Sequence, residues 1–321
     1  SRRRHTRCSR DWSSDVCSSD LGNGLQRAHN LSIKEALMKD QEEALSPGLY
    51  VVGTPIGNLE DLGFRALRVL QHANWIAAED TRETKKLLDH YGISGDLRSF
   101  HEHSTMARIE ELVDFLKKGG AGAYVSDAGT PGICDPGPEL VSACAAAGIP
   151  VYPVPGASAL LALLSVSGFS DSQFHFHGFF PREKKDREKW AERTLLIGGL
   201  TAFFESPHRI HSTLSFLSER FAECEMVVGR ELTKRFETLS RGTCAEIAAK
   251  LLADPPRGEY VVAIRLPFSE AKSSLEHEKI LELVKELALL DTPRKALLRV
   301  AMSHGMKKND AYELVLSVAG S

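Results

Sequence analysis

Short apolar runs alternate with amphipathic segments from residue 48 onward. Four of these runs predict strands in the first half of the chain: LYVVGT, NWIAAED, AGAYVSD and IPVYPVPG. Between them, apolar residues recur at the i, i+3, i+4, i+7 spacing of a helix from Ile109 to Leu116, and Asp80 is placed to cap another helix. Strands that alternate with helices in this way indicate an α/β domain over 48–156, with a largely parallel, doubly wound sheet.

The second half of the chain keeps the apolar runs but changes their spacing. Four further runs predict strands: FHFHGFF, AFFES, MVVGREL and EYVVAIRLP. Helical segments such as RIHSTLSFLSERF separate them. Because the spacing allows antiparallel as well as parallel neighbours, we expect a mixed sheet in a second α/β domain over 157–268. From 269 to 321 the pattern is only helical, which predicts a small C-terminal helical appendage.

The segment 1–47 follows neither a helical nor a strand period. It holds five arginines within the first ten positions and then the polar stretch DWSSDVCSSDLGNG. Its part RCSRDWSSDVCSSDL resembles a translated sequencing-adapter read-through. We therefore expect 1–47 to be a non-domain segment, either artefactual or disordered, and the predicted fold begins at Gly48.

Composition and charge narrow the class of protein. A length of 321 residues fits two domains and an appendage at about 150 residues per domain. The 40 Lys and Arg residues against 43 Asp and Glu give a net charge of −3, so a nucleic acid would need a local basic patch. No apolar run reaches the roughly 20 residues of a membrane span, which excludes an integral membrane protein. The six cysteines form no CxxC pair or ligand cluster, so we expect no metal and a cytoplasmic location.

Glycine-rich loops follow three of the predicted strands, at Gly53–Asn58, Ser126–Gly132 and Pro153–Ala159. In an open α/β sheet, ligands bind outside the carboxyl ends of the strands, and glycine lets the backbone approach them closely. The first loop, Gly53–Asn58, matches neither GxGxxG nor GxxxxGK(S/T), and the missing Lys-Ser/Thr pair of a nucleoside-triphosphate loop argues against an NTPase. Each loop alone fits an ordinary turn. Their coincidence favours a ligand crevice.

Charged residues near these strand ends are further candidates. We interpret Asp127 as a ligand contact and Asp135 as a turn residue that starts the next helix. In the second domain, mixed charges follow two strands, at Phe204–Arg209 and Gly229–Lys234. Solvated strand ends are the simpler explanation for either segment, but together with the glycine-rich loops they favour a functional cluster.

Six segments carry a family resemblance, in this order: VVGTPIGNLEDLGFRALRVL, IAAEDTRETKKLL, VSDAGTPGICDPG, VPGASALLALLSVSG, FFESPHRI and GRELTKRFE. Over about 48–266 they resemble the tetrapyrrole-methylase-fold family, in particular its subgroup of small-subunit ribosomal RNA methyltransferases. This chain reads Gly132-Ile133-Cys134 where that family commonly has bulkier apolar residues or a serine pair, a departure expected to reshape the pocket floor.

The resemblance implies a fold and an activity. Members have two α/β domains with S-adenosylmethionine in the cleft between them, and they are typically homodimers. The implied reaction is 2′-O-methylation of a cytidine ribose in small-subunit (16S) ribosomal RNA, with the rRNA or the assembled small subunit as partner. The charge of this donor fits the sequence, because a sulfonium and an amino group favour carboxylates and need no phosphate-binding lysine.

The resemblance also assigns roles to individual residues. The implied cofactor-binding residues are Thr54, Pro55, Ile56, Gly57, Asn58, Ser126, Asp127, Ala128, Gly129, Thr130, Pro131, Gly156, Ala157, Ser158, Glu205, Ser206, Glu231 and Leu232. A ribose hydroxyl is a weak nucleophile, so a neighbouring base should help. The candidates are Glu79, Asp80, Glu205, Glu231 and Lys234. Our hypothesis is that Glu231 and Lys234, three residues apart, form the catalytic pair by holding the hydroxyl and its phosphate.

Contacts to RNA are expected from basic and aromatic residues. The basic candidates are Arg82, Lys85, Lys86, Arg182, Lys184, Lys185, His208 and Arg209, although helices also expose such residues for solubility alone. The aromatic candidates are Phe100, His101, His103, Phe179 and Phe180, although Phe at a strand end is more often core. The helical appendage is a dimer contact, an RNA clamp or a cap.

Two other functions stay open at this point. One is a methylase of the same fold that acts on a tetrapyrrole or a modified protein residue. The other is a non-catalytic RNA-binding or ribosome-assembly factor that retains the cofactor pocket.

Overall fold

A computed structural model describes residues 44–101, 104–267, 277–289, 292–304 and 306–319. Residues 1–43 of the predicted N-terminal segment and His103 lie outside this part of the chain. Two five-stranded sheets and three C-terminal helices follow one another along the described residues.

The first sheet is entirely parallel, as the alternating pattern predicts. Its strands are β1 (Gly48–Val52), β2 (Trp75–Ala78), β3 (Leu97–Ser99), β4 (Ala121–Val125) and β5 (Val151–Val154). The spatial order is β3-β2-β4-β1-β5. Gly122 in β4 makes room for the buried Trp75 ring, which lies 2.2 Å from the place where a Cβ would stand.

Helices cover both faces of this sheet. A 3₁₀ helix (Leu59–Asp61) leads into α1 (Phe64–His72), which is followed by α2 (Thr81–His90), α3 (Met106–Lys117) and α4 (Pro138–Ala146). One apolar core joins α1 and α2 to one face, and another joins α3 and α4 to the opposite face. The doubly wound prediction is confirmed. Asp80 caps α2, its side chain accepting from the Arg82 backbone N–H at 2.8 Å.

The second sheet is mixed, again as predicted. Its strands are β6 (Phe174–Phe179), β7 (Gly199–Glu205), β8 (Glu225–Arg230), β9 (Thr238–Thr243) and β10 (Tyr260–Leu266), in the order β6-β7-β10-β8-β9. Only the β6–β7 pair among these is parallel. Three helices, α6 (Lys184–Ile197), α7 (Pro207–Phe221) and α8 (Cys244–Leu251), pack on one face. The other face receives α5 (Ala159–Ser167).

Two strands, β3 and β9, are absent from the sequence prediction. β3 has only three residues, LRS, and β9 reads TLSRGT, so neither shows an apolar run. Both are edge strands, which are held by one neighbour and need little apolar character of their own.

The appendage consists of α9 (His277–Ala288), α10 (Arg294–Ser303) and α11 (Lys308–Ala319), as predicted. Its core includes Ile197 of α6, and Arg193 of α6 pairs with Glu286 at 2.7 Å. The appendage thus packs on the second α/β unit. In the described residues, no helix has the length and apolar character needed to cross a bilayer.

Candidate active site

A cavity of about 440 Å³ lies where the strand ends of the two sheets meet. Loops that follow β1, β2, β4 and β5 line it from the first sheet. The ends of β6 and β7, the turn after β8 and the start of β10 line it from the second. Of the residues with a role predicted from sequence, the wall contains Ile56, Asp127, Ala128, Gly129, Thr130, Ser158, Glu205, Ser206, Leu232, Lys234 and the candidate base Glu79.

Backbone contacts hold the three glycine-rich loops together. The Thr54 N–H donates to the Gly129 carbonyl at 2.8 Å, and the Gly129 N–H donates back to Thr54 at 3.1 Å. Gly129 has φ +80, which favours glycine. Gly53 and Gly156 meet so closely that a Cβ on either would lie 2.7 Å from backbone atoms of the other. Gly129 therefore lines the cavity, and the close backbone contact of Gly53 with Gly156 holds the first and third loops together behind it.

Several residues predicted to bind the cofactor are not among the residues that line the cavity. They are Thr54, Pro55, Gly57, Asn58, Ser126, Pro131, Gly156, Ala157 and Glu231. Thr54 and Ser126 are buried, and the Asn58 side chain caps the 3₁₀ helix by accepting from the Glu60 N–H at 3.1 Å. Contacts of this kind within the protein support the loops that line the cavity.

Carboxylates dominate the side of the cavity formed by the first sheet. Glu79, Asp127 and Asp135 line it, and the Asp80 N–H donates to Asp127 at 2.8 Å. Burial raises the pKa of Asp135 and the charge of Asp127 raises it further, against a hydrogen bond from Ser126 that lowers it. Asp135, which the sequence suggested was only a turn residue, is thus part of the candidate site.

Lys234 brings a cation to the opposite side of the cavity. Its ammonium donates to Glu231 and to Glu259, at 2.9 Å each. Burial lowers the pKa of Lys234, but these two hydrogen bonds raise it, and the net pKa lies above its ordinary value. Lys234 is therefore held as an ammonium, which suits it to donate a hydrogen bond and disfavours it as the proton-accepting base.

Glu231 is fixed from several directions. Its carboxylate also accepts from the Glu259 N–H at 2.9 Å, and a Cβ at Gly258 would lie 2.4 Å from it. Burial raises the pKa of Glu231, while the hydrogen bonds from Lys234 and the Glu259 backbone lower it, so the net pKa is below its ordinary value. The pair predicted from sequence does form. Glu259, which also pairs with Lys234, was missed because it stands alone in the sequence before an apolar strand.

Strained backbone concentrates at the cavity. Cys134, Glu231 and Thr233 are the non-glycine residues with positive φ in the described chain, at 66°, 53° and 66°. Cys134 lines the cavity, and the other two flank Leu232 next to Lys234. Such conformations cost about 1–3 kcal/mol each and cluster at functional sites.

Glu205 contributes to the wall, but its carboxylate is engaged within the protein. The fully buried side chain accepts from the Ser206 N–H at 2.8 Å, from Thr213 at 2.6 Å and from Arg209 at 2.6 Å. Arg209 also donates to the Phe180 carbonyl at 2.9 Å. The inward contacts of Arg209 do not support its predicted role in RNA binding.

The remaining basic candidates differ in their surroundings. Arg82, Lys85 and Lys86 are exposed, and each pairs with an acidic residue on α2 or at its cap, as on an ordinary solvated helix face. A second group is exposed at the starts of α6 and α7: Arg182, Lys184, Lys185 and His208. Of the aromatic candidates, Phe100 and Phe180 are core residues, whereas Phe179 lines the cavity.

The chemical character of the wall restricts its ligand. Lys234 is the cation on the lining, against five carboxylates: Glu79, Asp127, Asp135, Glu205 and Glu259. Glu205 pairs with Arg209 and Glu259 with Lys234, so the acidic character of the wall comes from Glu79, Asp127 and Asp135. These carboxylates favour a ligand with positive charge over a polyphosphate. No group of three or more metal-ligand side chains occurs in the part of the chain that the structure describes.

Two α/β units that share a cavity at their strand ends define a small-molecule-binding α/β protein. The family model of the Tetrapyrrole (Corrin/Porphyrin) Methylases matches residues 48–248. The chain therefore belongs to the tetrapyrrole methylase family, a family of methyltransferases.

Curated relatives extend this similarity over most of the chain. A Ribosomal RNA small subunit methyltransferase I from Neisseria meningitidis serogroup A is 41% identical over 283 residues, covering 88% of this chain and 97% of that protein. The protein of the same name from Bacillus subtilis is 38% identical over 278 residues, covering 83% and 92%.

Solved structures share the fold at low sequence identity. Diphthine synthase superposes with a TM-score of 0.54 at 15% identity, covering 77% of this chain and 98% of that one. The methyltransferase CobJ gives 0.51 at 17% identity, covering 69% and 100%.

Proposed function

We propose that the protein transfers a methyl group from S-adenosylmethionine to the 2′-oxygen of a cytidine ribose in small-subunit (16S) ribosomal RNA. The observation that carries the proposal is the shared cavity, in which glycine-rich strand ends face a lysine held between two carboxylates. The similarity to proteins named Ribosomal RNA small subunit methyltransferase I supports RNA as the acceptor.

The residues present fit this methyl donor. A cavity of about 440 Å³ lies within the roughly 300–1,000 Å³ typical of small-molecule sites. Ala128 and Gly129 bring backbone with little or no side chain to the lining, as close contact with a nucleoside requires. Asp127 and its neighbouring carboxylates would hold the cationic part. When bound, S-adenosylmethionine supplies an electrophilic methyl group.

The chain's own residues then act on the acceptor. Lys234, kept as an ammonium by Glu231 and Glu259, holds the ribose hydroxyl or its phosphate in place. Positioning of this kind supplies much of the acceleration in a transfer between two bound groups. The hydroxyl proton passes to a carboxylate of the wall, and Asp135, which lines the cavity, suits this task because burial raises its pKa and so makes it a better proton acceptor.

We further propose that the protein acts as a homodimer in the cytoplasm. Support for a dimer comes from α5, which exposes Leu161 and Val166 to solvent on a helix that is apolar except for Ser165 and Ser167. Sedimentation equilibrium should give twice the monomer mass, and Leu161→Asp should shift the protein toward the monomer. A monomeric wild-type protein contradicts this part of the proposal.

One assay tests the reaction against its rivals. Methyl-labelled S-adenosylmethionine is incubated with the protein and, in parallel, with naked small-subunit rRNA, assembled small subunits and a tetrapyrrole. Label should enter one of the RNA substrates and not the tetrapyrrole. Label in the tetrapyrrole contradicts the proposed acceptor, and calorimetry without any S-adenosylmethionine binding favours a non-catalytic RNA-binding protein.

A further inference from the structure

A bulge at the end of β6 turns Phe179 toward the cavity. In the pairing with β7, Phe176 lies opposite Ala202 and Phe179 lies opposite Phe204, so three steps on β6 match two on β7. Gly178, within the bulge, has φ +63, a conformation that favours glycine. Bulges of this kind re-aim side chains and are common next to active sites.

The bulge brings Phe176 and Phe179 to the same side of the sheet. In a regular strand Phe176 and Phe179 would face opposite sides, yet both rings here contact Phe204, at centroid distances of 5.0 and 5.8 Å. Phe180 takes the other side and is buried against Trp190. Phe179 lines the cavity and remains 56% exposed. The bulge therefore keeps the Phe179 ring on the cavity side of β6, where it stays exposed to solvent.

The first sheet supports this arrangement from across the cavity. A Cβ on Gly178 would lie 3.0 Å from the Cys134 Sγ, so the strained loop around Cys134 packs directly against the bulge. Ile133, which is half exposed, lines the same cavity. Phe179 thus belongs to an apolar rim built by both sheets.

Positive charge follows this rim along the chain. Arg182, Lys184 and Lys185 come three to six residues after Phe179 and are exposed at the start of α6. Single-stranded RNA is typically bound by aromatic side chains that stack on its bases beside cations that contact its phosphates. An exposed ring on the lining of a methyl-transfer cavity, with three exposed cations three to six residues further along the chain, has this character.

We infer that Phe179 is the stacking platform for the acceptor nucleobase, and that the adjoining phosphates run over Arg182, Lys184 and Lys185. The inference rests on the proposed function and adds the residue that positions its RNA substrate. The platform holds the base against the rim while the ribose of the same nucleotide enters the cavity. Phe179 is a positioning residue in this account.

Phe236 is the main structural rival for this role. It is 70% exposed and follows Lys234 by two residues. However, it stands outside the cavity lining, and the Arg235 guanidinium lies 5.5 Å from its ring centroid. We therefore assign the platform to Phe179, and Phe236 serves as the comparison in the test.

The test measures stacking and catalysis in the full chain. A single-stranded oligoribonucleotide carries fluorescent pyrrolocytidine at the acceptor position, because stacking on an aromatic ring quenches this base. Phe179→Ala should abolish the quenching and raise the KM for small-subunit rRNA roughly tenfold to hundredfold. Its affinity for S-adenosylmethionine, measured by calorimetry, should stay unchanged. Phe179→Tyr should restore both readouts, and Phe174→Ala, which removes an exposed ring on the same strand, should behave as wild type.

The outcomes separate the inference from the function on which it rests. Wild-type protein that methylates RNA while Phe179→Ala keeps normal quenching and KM overturns the inference alone. So does a loss found in Phe236→Ala instead, or a loss of S-adenosylmethionine affinity in Phe179→Ala. Wild-type protein without methyl transfer to RNA overturns the proposed function and the inference together.

Discussion

The two sheets contribute to one cavity in different ways. In the first sheet all strands are parallel, so the loops that follow them gather at one edge, and backbone hydrogen bonds and close glycine contacts join those loops. In the second sheet the strands are mixed, and the cavity receives the turn after β8 and the beginning of β10. The first sheet supplies glycine-rich backbone and the carboxylates Glu79, Asp127 and Asp135, and the second supplies Lys234, the cation of the lining.

The difference has an energetic side. Glu231 and Thr233 hold strained left-handed conformations in the turn after β8, at about 1–3 kcal/mol each. The hydrogen bonds of Glu231 to Lys234 and the Glu259 backbone offset that strain. These hydrogen bonds hold the Glu231 carboxylate beside the Lys234 ammonium. We therefore expect changes in the second sheet to affect turnover and changes in the first to affect donor binding.

The largest expected effect is on turnover, from Lys234→Ala. Loss of one positioned donor typically lowers kcat by about 10² to 10³, while S-adenosylmethionine affinity should be nearly unchanged. Steady-state kinetics and calorimetry measure the two. Lys250→Ala, which removes an exposed lysine on α8, is the control. A variant with normal kcat would remove Lys234 from the account.

Gly156→Ala should break the close contact between the first and third loops. Its Cβ would lie 2.7 Å from backbone atoms of Gly53, which cannot move like a side chain, so we expect a loss of about 1–3 kcal/mol in the free energy of unfolding. S-adenosylmethionine binding should weaken as well. Gly63→Ala, at a position with no neighbour within 4 Å, is the matched control for urea unfolding. Equal stability of the two variants would contradict the close contact.

Gly178→Ala tests whether the bulge in β6 contributes to RNA binding as well as to stability. Alanine at φ +63 should cost about 1–2 kcal/mol in unfolding free energy and disturb the aim of Phe179. Gly168→Ala, at φ +84 at the end of α5, should cost a similar amount away from the cavity. Only Gly178→Ala should weaken RNA binding in a filter assay. Equal RNA affinity of the two variants would show that the bulge has no role in RNA binding.

The smallest effects concern pH, and they have opposite signs in the two sheets. The pKa of Asp135 is higher in the folded than in the unfolded protein, so its ionised form destabilises the fold relative to its protonated form. Asp135→Asn, which removes the charge, should therefore raise the free energy of unfolding at neutral pH. A lowered pKa means that ionised Glu231 stabilises it, so Glu231→Gln should decrease stability at neutral pH. Both differences should shrink as the pH falls and the carboxyl groups become protonated in wild type. Urea unfolding at pH 7 and in acid measures them, and changes of the same sign would contradict the contrast.

Much of the first sheet's share of the site could be predicted from sequence. Parallel strands place their carboxyl ends at one edge, so the loops at Gly53 and Ser126 had to lie together once the strands were recognised. Asp135 was misjudged because an Asx turn and a cavity wall can use the same residue. Two edge strands escaped because short, polar strands carry no apolar signal.

The part of the candidate site that the second sheet contributes was harder to predict from sequence. The spacing of Glu231 and Lys234 suggested a pair, but Glu259 joins it only through the antiparallel neighbour β10, which no local pattern encodes. The bulge at Gly178 likewise depends on pairing with β7. Strict strand alternation would place Phe179 on the wrong face. Features that arise from strand register, rather than from periodicity, stay hidden until the sheet is assembled.

The most direct test of the account is nucleoside mass spectrometry of small-subunit rRNA from cells with and without the gene. The account predicts one 2′-O-methylcytidine that is present with the gene, absent without it, and absent again when the Lys234→Ala form replaces the wild type. An unchanged set of ribose methylations, or the loss of a methyl group from a base, would contradict it.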